Sequence, residues 1–449
     1  MEPFDVVIVG ARCAGSPLAV LLARRSLRVC VLDKARFPSD TPSTHVIQPS
    51  GVAVLDRLGV LDTVLAAGAV QLTAFTMVNE HARIEADLTD AAVRAAYGAA
   101  GAGLCVRRVT LDHLLVAAAG EAGVDVRTRT GVTGLRHDGT RVTGVETTHG
   151  PVRASLVVGA DGRHSTVARL AGAAEYHTTG PCRPFTWAYF DGVADTEARL
   201  RLGRLGDLAF LSSPTDGGLY LAGAIPSSGV DTREESFMAR FAAWPELAER
   251  LDGARRVGPI RVVPDCRGYF RSATGPGWVL TGDAGQFKDP TPAQGISDAF
   301  RQAERLADAI VAGLGGSAVL DDELRRWWRW RDDDCYEMHW LATDMGAPGL
   351  PSPLITQVLR DIAGDVPATV ALLRVLNRDL RPSRLFTPRR LLTAAARAMG
   401  AQPTRIPALA HEAASLAGQE LRRARQRRLG TRGRILASVP RTRVRTLAP

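Results

Sequence analysis

A glycine-rich turn between a strand and a helix, near the start of the chain, is the feature that most limits the fold. The apolar run Phe4–Val9 predicts a buried parallel strand, and it breaks directly into Gly10-Ala-Arg-Cys-Ala-Gly15. Residues 18–23 then predict a helix. Gly10 permits the tight turn, the small Ala14 lets the backbone approach a pyrophosphate, and Gly15 allows the helix to pack closely on the strand. The pattern predicts an α/β fold whose first helix points its N-terminus at the phosphates of a dinucleotide.

An acidic residue supports the dinucleotide pattern, and one residue departs from it. The next predicted strand, residues 28–32, ends on Asp33, about 20 residues beyond the glycines, where a carboxylate can accept hydrogen bonds from ribose hydroxyls. Arg12 stands where the usual G-x-G-x-x-G sequence has its middle glycine. Because strand, turn, helix and acid occur in the right order, we retain the dinucleotide interpretation.

Two later strands end in the same way. The run Leu156-Val-Val-Gly-Ala-Asp161-Gly162 and the run Trp278-Val-Leu-Thr-Gly-Asp283 both pass from apolar residues into a glycine and an aspartate. Open α/β sheets bind ligands at the carboxyl ends of their strands. A proline-rich loop, residues 290–295, then precedes a helical pattern over 296–310, which places a second positive helix end beside the ligand.

These stretches resemble the GxGxxG, DG and GD motifs of the class A flavoprotein monooxygenases, typified by p-hydroxybenzoate hydroxylase and related to flavin halogenases and geranylgeranyl reductases. The resemblance spans about residues 4 to 345, and residues 106–115 also resemble that family's R-x-x-L-D-x-x-L helix. It implies that the dinucleotide is FAD. It further implies that Asp33 holds the adenosine ribose, Asp161 the region shared by flavin and nicotinamide, and Asp283 the ribityl and pyrophosphate part. Gly295 and Ile296 would lie near the pyrimidine edge of the flavin, where the helix dipole stabilises negative charge on the reduced ring.

The resemblance implies a full set of site residues, with no metal among them. His45 and Pro290 are the catalytic candidates. The cofactor-binding candidates are Gly10, Arg12, Cys13, Ala14, Gly15, Asp33, Lys34, His45, Arg107, Val132, Asp161, Gly282, Asp283, Pro290, Gly295 and Ile296.

Several residues depart from the family pattern. The sequence Ser43-Thr44-His45 replaces the usual Gly-Arg, Gln286 replaces a common histidine, and Pro292 replaces a glycine. Lys288, one of only two lysines, could stabilise a flavin anion or orient an oxygen adduct, but a solvated loop cation is the favoured interpretation. His45 could contact flavin or substrate, or could be a hydrogen-bonded structural histidine.

Composition favours a cytoplasmic enzyme. The 449 residues are 45% hydrophobic, with no uninterrupted apolar stretch of the roughly 18 residues that a membrane span needs. The start of the chain lacks the basic segment of a signal peptide. The six cysteines show no Cys-x-x-Cys pair, so we expect neither a disulfide framework nor a zinc site.

The net charge of +9 is concentrated at one end. Ten arginines against Glu412 and Glu420 follow residue 410, and this tail predicts a helix with a frayed end. It lacks the interleaved aromatic residues of a single-strand binder, so no nucleic acid partner is expected. A solvated helix face is favoured over a site for an anionic partner.

We predict a discontinuous Rossmann-like FAD-binding domain with an inserted antiparallel-sheet substrate domain. The first comprises residues 1–70, 100–180 and 260–320, and the second comprises residues 71–99 and 181–259. A helical C-terminal region with the basic tail spans 321–449. The sequence predicts no particular oligomeric state.

The family's chemistry sets the expected function. NAD(P)H would visit transiently to reduce the flavin, and dioxygen would form a flavin C4a-hydroperoxide that hydroxylates or epoxidises an apolar, aromatic or polyketide-like small molecule. Geranylgeranyl-type reductases carry Y/F-x-W-x-F-P, and halogenases carry W-x-W-x-I-P, in the strand above the flavin. Here that strand is Phe210-Leu-Ser-Ser-Pro214, without tryptophan, whereas Phe185-Thr-Trp187 lies about 25 residues too early. Both enzyme classes remain alternatives, as does a non-catalytic flavin-binding module.

Overall fold

The structure is a computed structural model that describes residues 3–97, 101–195 and 197–437. Its strands are β1 (Phe4–Val9), β2 (Val29–Leu32), β3 (Val46–Ile47), β4 (Val70–Leu72), β5 (Ala74–Asn79), β6 (Ala82–Asp87), β7 (Gly103–Cys105), β8 (Asp125–Arg127), β9 (Val132–Asp138), β10 (Arg141–Thr147), β11 (Gly150–Gly159), β12 (Glu175–Tyr176), β13 (Phe185–Asp191), β14 (Arg199–Leu205), β15 (Leu208–Pro214), β16 (Tyr220–Pro226), β17 (Arg255–Val263), β18 (Tyr269–Arg271), β19 (Thr274–Gly275), β20 (Trp278–Leu280) and β21 (Gln286–Phe287).

Helices follow or separate these strands. They are α1 (Gly15–Ala23), α2 (Pro49–Arg57), α3 (Leu61–Ala66), α4 (Ala91–Tyr97), α5 (Arg108–Glu121), α6 (Thr166–Leu170), α7 (Glu234–Ala239), α8 (Pro245–Arg250), α9 (Gly295–Ala312), α10 (Ser317–Gly346), α11 (Pro353–Ala363), α12 (Val366–Leu376), α13 (Pro382–Leu385), α14 (Pro388–Ala401) and α15 (Ile406–Ala437).

A mainly parallel sheet brings the three glycine–aspartate turns together. Its strand order is β19-β20-β11-β1-β2-β8, and β1 pairs in parallel with both β11 and β2. Val9 lies opposite Gly159 and Leu32, and Gly159 lies opposite Leu280, so four strands reach their carboxyl ends at the same level. The turns that follow these strands therefore share one edge of the sheet, as the sequence predicted.

A second, seven-stranded sheet has the order β17-β13-β16-β15-β14-β5-β6. Its strands are antiparallel except for the β14–β5 pair, which is parallel. The difference arises because β5 and β14 are separated by a long stretch of chain that includes β11, and a long crossover permits parallel pairing where a hairpin does not. The mixed α/β class with a largely antiparallel second sheet is confirmed.

Helices α10 to α15 follow the last strand, which confirms a helical C-terminal region. The basic helix α15 is not simply solvated, because it docks on an acidic stripe of α10. Arg423 donates to Asp344 at 2.6 and 2.7 Å and its guanidinium lies 4.9 Å from the ring centre of Trp340. Arg427 pairs with Asp333 and Glu337. The tail thus finds an anionic partner within its own chain; residues 438–449 lie outside the described part.

No helix in the described residues combines the length and apolarity that crossing a bilayer requires. No group of three or more His, Cys, Asp or Glu side chains among them is arranged to hold a metal ion, and the six cysteines, all in this part of the chain, are unbridged.

Candidate active site

A cavity of about 500 Å³ runs along the carboxyl edge of the parallel sheet towards the second sheet. Most of the predicted site residues line it, and three do not: Gly15, His45 and Arg107. Those that line it are Gly10, Arg12, Cys13, Ala14, Asp33, Lys34, Val132, Asp161, Gly282, Asp283, Pro290, Gly295 and Ile296.

The glycine turn after β1 is as tight as the sequence indicates. Gly10 has φ of +105°, and a Cβ there would lie less than 3.0 Å from the carbonyl of Ala160, so only glycine fits. A Cβ on Gly15 would come equally close to the carbonyl oxygen of Gly10. The backbone N–H groups of Cys13 and Ala14 donate to no other described residue, which leaves them available to an anionic ligand at the N-terminus of α1.

Arg12 replaces the middle glycine without blocking the turn, because its side chain leaves towards α5. Its guanidinium donates to Asp112 at 2.8 Å and to the hydroxyl of Ser39 at 3.0 Å. Arg108 binds the same carboxylate with two bonds of 2.9 Å. Asp112 is fully buried and therefore joins two arginines of the cavity wall.

The arginine of α5 that lines the cavity is Arg108, not Arg107. Arg107 turns away and pairs with Asp216 at 3.1 Å, and its backbone N–H donates to the same carboxylate at 2.7 Å. This contact holds the turn between β15 and β16 on the start of α5. The signal was present in the sequence, since counting back three residues from Leu111 of the R-x-x-L-D motif leads to Arg108.

Two of the predicted acids are bound by the fold itself. Asp33 accepts hydrogen bonds from the backbone N–H groups of Ala11, at 2.9 Å, and Ala35, at 2.8 Å. Asp161 accepts from the N–H of Thr166 at 2.7 Å and from the hydroxyl of Ser165, so it caps α6. Both still line the cavity, but part of their hydrogen-bonding capacity fixes the turns in place.

Asp283 differs from these two acids. Its backbone is fixed, since its carbonyl accepts from Tyr269 at 2.7 Å and the N–H of Gly282 donates to Gln302 at 3.0 Å. Its carboxylate faces the cavity and makes no hydrogen bond to another described side chain. Burial raises the pKa of Asp283 to about 6, against the pull of Arg108 and Arg163. Because Asp283 is only partly covered at the cavity wall and its carboxylate has no donor among the described residues, it is suited to accept hydrogen bonds from the hydroxyls of a ligand.

Lys288 is buried, which overturns the favoured interpretation of a solvated loop cation. Only 6% of it is exposed, and its ammonium pairs with Asp298 in the first turn of α9. The same carboxylate accepts from Arg378 at 2.9 Å. Arg378 follows α12, so the C-terminal region supports the cavity wall, a contact that no local pattern in the sequence indicated.

The far end of the cavity is aromatic and apolar. Phe185 and Trp187 enter from β13, Val263 from the end of β17, and Phe287 from β21. Asp289 is the acidic residue at this end: it accepts from the N–H of Thr291 at 2.9 Å, and burial raises its pKa to about 6. Sequence analysis missed these five residues as site residues. Phe185, Trp187 and Val263 belong to the second sheet, which meets residues 287–290 only in the folded chain, and no local motif marked Phe287 or Asp289.

His45 is a hydrogen-bonded structural histidine, one of the two interpretations that the sequence left open. It is fully buried with φ of +62°, and its Nε2 is hydrogen-bonded to the hydroxyl of Tyr189. Burial lowers the pKa of His45 to about 3, so the imidazole is neutral. The residue links the loop before β3 to β13 rather than facing the cavity.

The loop of residues 286–295, which we call the flavin loop, departs from the family pattern at Gln286 and Pro292. Ala293, the residue after Pro292, has φ of +53°, and the side chain of Gln48 donates to the carbonyls of Pro292 and Ala293 at 3.3 and 3.2 Å. Gln294 donates to Leu376 at 2.6 Å. These bonds hold a loop that lacks the usual glycine.

Three comparisons place the chain among known proteins. The FAD binding domain family matches residues 3–322. The 6-methylpretetramide 4-monooxygenase of Streptomyces rimosus is 30% identical over 325 residues, which are 69% of this chain and 76% of that protein. Digeranylgeranylglycerophospholipid reductase 1 of Methanococcoides burtonii is 26% identical over 73% of this chain and 80% of its own. The solved flavin-dependent brominase Bmp2 superposes with a TM-score of 0.70 and 19% identity, covering 89% of this chain and all of that one.

The cavity fits FAD on the evidence of its own residues. Among the described residues, the backbone N–H groups of Cys13 and Ala14 at the N-terminus of α1 have no acceptor and suit the pyrophosphate, and the Asp283 carboxylate has no donor and suits ribityl hydroxyls. Asp33 lies at the other end, where the adenosine would sit. The chain therefore belongs to the FAD-binding family of flavoprotein monooxygenases and their relatives, and it is an FAD-dependent oxidoreductase.

Proposed function

We propose that the protein is an FAD-dependent monooxygenase that uses NAD(P)H and dioxygen to hydroxylate or epoxidise an apolar, aromatic or polyketide-like small molecule. The observation that carries the proposal is the continuity of the cavity, which joins the dinucleotide turns to an aromatic end built by the second sheet. Bound FAD would accept a hydride from the nicotinamide and activate oxygen. A cytoplasmic location and a role in secondary metabolism belong to the same proposal.

The chain's own residues perform the binding and positioning. We assign the pyrophosphate to the turn at residues 10–15, the adenosine ribose to Asp33 and the ribityl chain to Asp283. Pro290 and Gly295 would border the ring system, and Phe185 and Trp187, which line the cavity, would form the substrate wall. We likewise propose the division into a discontinuous FAD-binding domain and an inserted substrate domain. His45 lies behind the wall and supports it.

The substrate wall distinguishes this proposal from the two alternatives. Strand β15, where the reductase and halogenase motifs carry tryptophan, has Ala209 and Leu211 on one face and Phe210 on the other. None of its residues lines the cavity. The tryptophan that does line it, Trp187, belongs to β13, two positions away in the sheet. The motif position is therefore filled by small or aliphatic side chains, which favours oxygen transfer over halogenation or double-bond reduction.

A product assay tests the proposal. The purified yellow protein is incubated with NADH or NADPH under labelled dioxygen, with a panel of phenols and polycyclic polyketides, and with and without bromide and chloride. We expect substrate-stimulated flavin reduction and a product that carries one labelled oxygen atom. Halide-dependent products or reduced double bonds would establish an alternative, and flavin oxidation that yields only hydrogen peroxide with every substrate would overturn the proposal.

A further inference from the structure

Five charged side chains form a cluster at the start of α9, and two of them line the cavity. We call Lys288, Asp298, Arg301, Asp334 and Arg378 the Lys288 cluster. Asp298 pairs with Lys288, accepts from Arg378 at 2.9 Å and lies 3.8 Å from Arg301. Arg378 and Arg301 also pair with Asp334, at 2.6 and 3.1 Å. Three cations therefore surround two carboxylates.

The excess of cations over carboxylates in the cluster changes the charge at the N-terminus of α9. An aspartate in the first turn of a helix normally offsets the positive N-terminal dipole. Burial opposes the ionisation of Asp298, but Arg378 and Lys288 outweigh it and hold the pKa of this carboxyl below its usual value. The ionised Asp298 is thus more than neutralised by its partners, and the start of α9 keeps its positive character.

The cluster is also in the right place to act on a ligand. Lys288 and Asp298 both line the cavity, beside Gly295 and Ile296. Side chains of the pair are 5% and 7% exposed, so little solvent screens their charge.

We propose that Lys288 is an electrostatic positioning residue that stabilises the negative charge that FAD gains on reduction, and that Asp298 sets how much of the lysine's charge the cofactor experiences. The inference rests on the placement of the flavin ring in the proposed function. It goes beyond that function because the positive charge comes from a side chain pair of this chain and not from the helix end alone. If the pair had only a structural role, substituting Lys288 and substituting Asp298 would not shift the flavin potential in opposite directions.

Sulfite is the probe, because it adds reversibly to oxidised flavin and its adduct carries negative charge in the ring. The holoprotein, Lys288→Met and Asp298→Asn are titrated with sulfite while the loss of flavin absorbance is followed, and the flavin midpoint potential is measured against reference dyes. We expect Lys288→Met to weaken sulfite binding about tenfold and lower the potential, and Asp298→Asn to strengthen binding several-fold and raise it. Lys288→Arg should remain within about twofold of the unmodified protein.

Arg305→Gln is the control, since Arg305 lies on the same helix but packs 5.6 Å from the ring centre of Trp330, outside the cavity lining. It should leave both readouts unchanged. Shifts of the same sign in Lys288→Met and Asp298→Asn, or no shift in either, would overturn the inference. If Lys288→Met does not retain FAD, Asp298→Asn and Lys288→Arg decide the question alone. Neither measurement needs nicotinamide, oxygen or substrate, so its outcome is independent of the monooxygenase assay.

Discussion

The two walls of the cavity are built in different ways. The glycine wall, residues 10–15 with Asp33, consists of backbone and small side chains, and its contacts join residues close in sequence or on neighbouring strands. The helix wall, residues 282–298, depends on buried charges whose partners come from distant elements, such as Arg378 on Asp298. The first wall is a matter of sterics and the second of electrostatics. A wall built by steric constraints can be predicted from a sequence motif. A wall built by buried charges cannot, because it depends on which elements pack together.

The sharpest test of the glycine wall is Gly15→Ala. The added Cβ would lie less than 3.0 Å from the backbone oxygen of Gly10, and no rotamer can relieve a clash between backbone and Cβ. We expect a loss on the order of 5 kcal/mol in the free energy of unfolding, which is comparable to the whole stability of a marginal domain. Thermal unfolding and FAD content measure it. Gly120→Ala, in the last turn of α5 with open space around it, should be neutral or stabilising; equal behaviour of the two variants would show that the wall tolerates side chains.

Arg378→Gln tests the helix wall. It removes a cation that is 5% exposed from a carboxylate that is 7% exposed, so we expect a destabilisation of about 3 kcal/mol in chemical denaturation. Arg381→Gln is the matched control, because that arginine and its partner Asp333 are each 53% exposed and should contribute less than about 1 kcal/mol. A loss as small as that of the control would mean that the C-terminal region does not stabilise the wall.

Asp283→Asn separates ligand binding from stability. Burial raises the pKa of Asp283 from its ordinary value of 3.8 to about 6, so its favourable protonated form contributes stability below pH 4 that is lost as the pH rises through 6. The apoprotein variant should therefore melt at a higher temperature than the unmodified apoprotein at pH 7, with the difference shrinking towards pH 4. FAD titration should show affinity reduced about tenfold, since a charged acceptor is lost.

The exposed Asp56 on α2 offers the control for that experiment, and Asp56→Asn should change neither quantity. An Asp283→Asn apoprotein that is less stable than the unmodified one at both pH values would contradict the assignment of this carboxylate to a ligand.

Arg12→Gly, which restores the usual glycine, should have the smallest effect. Arg12 is 23% exposed, and Asp112 keeps its two bonds to Arg108, so we expect a loss below about 1 kcal/mol. Asp112→Asn should cost about 3 kcal/mol, because it leaves the buried Arg108 without its carboxylate. Urea denaturation measures the free energy of unfolding of both variants. If Arg12→Gly lost more of it than Asp112→Asn, the Arg12 ion pair would stabilise the protein as a buried pair of the helix wall does.

Sequence reasoning succeeded where a residue's role follows from its immediate neighbours. The strand that runs into Gly10 and the strand that ends at Asp283 were placed correctly because apolar runs followed by glycine leave few conformations. The prediction for Arg107 was wrong by one residue, because Arg107 and Arg108 are adjacent arginines. Only the directions of their side chains at the start of α5 distinguish them. The prediction for Lys288 failed because composition cannot show that a loop lysine is covered by α9 and the end of α12.

The sequence by itself determined the α/β fold class and the glycine turn at residues 10–15, because these depend on hydrophobic periodicity and on glycines that only a tight turn requires, and the resemblance of its motifs to flavoprotein monooxygenases indicated FAD. The tertiary structure decided which charges are buried, which arginine faces the cavity, and that β13, and not β15, brings an aromatic wall to it. Those facts depend on packing between segments far apart in sequence. Arg12 donates to Asp112, 100 residues away, Gln48 to Pro292, 244 residues away, and Ser50 to Asn377, 327 residues away. Burial of a charge is a property of everything around it, and a local pattern does not contain that information.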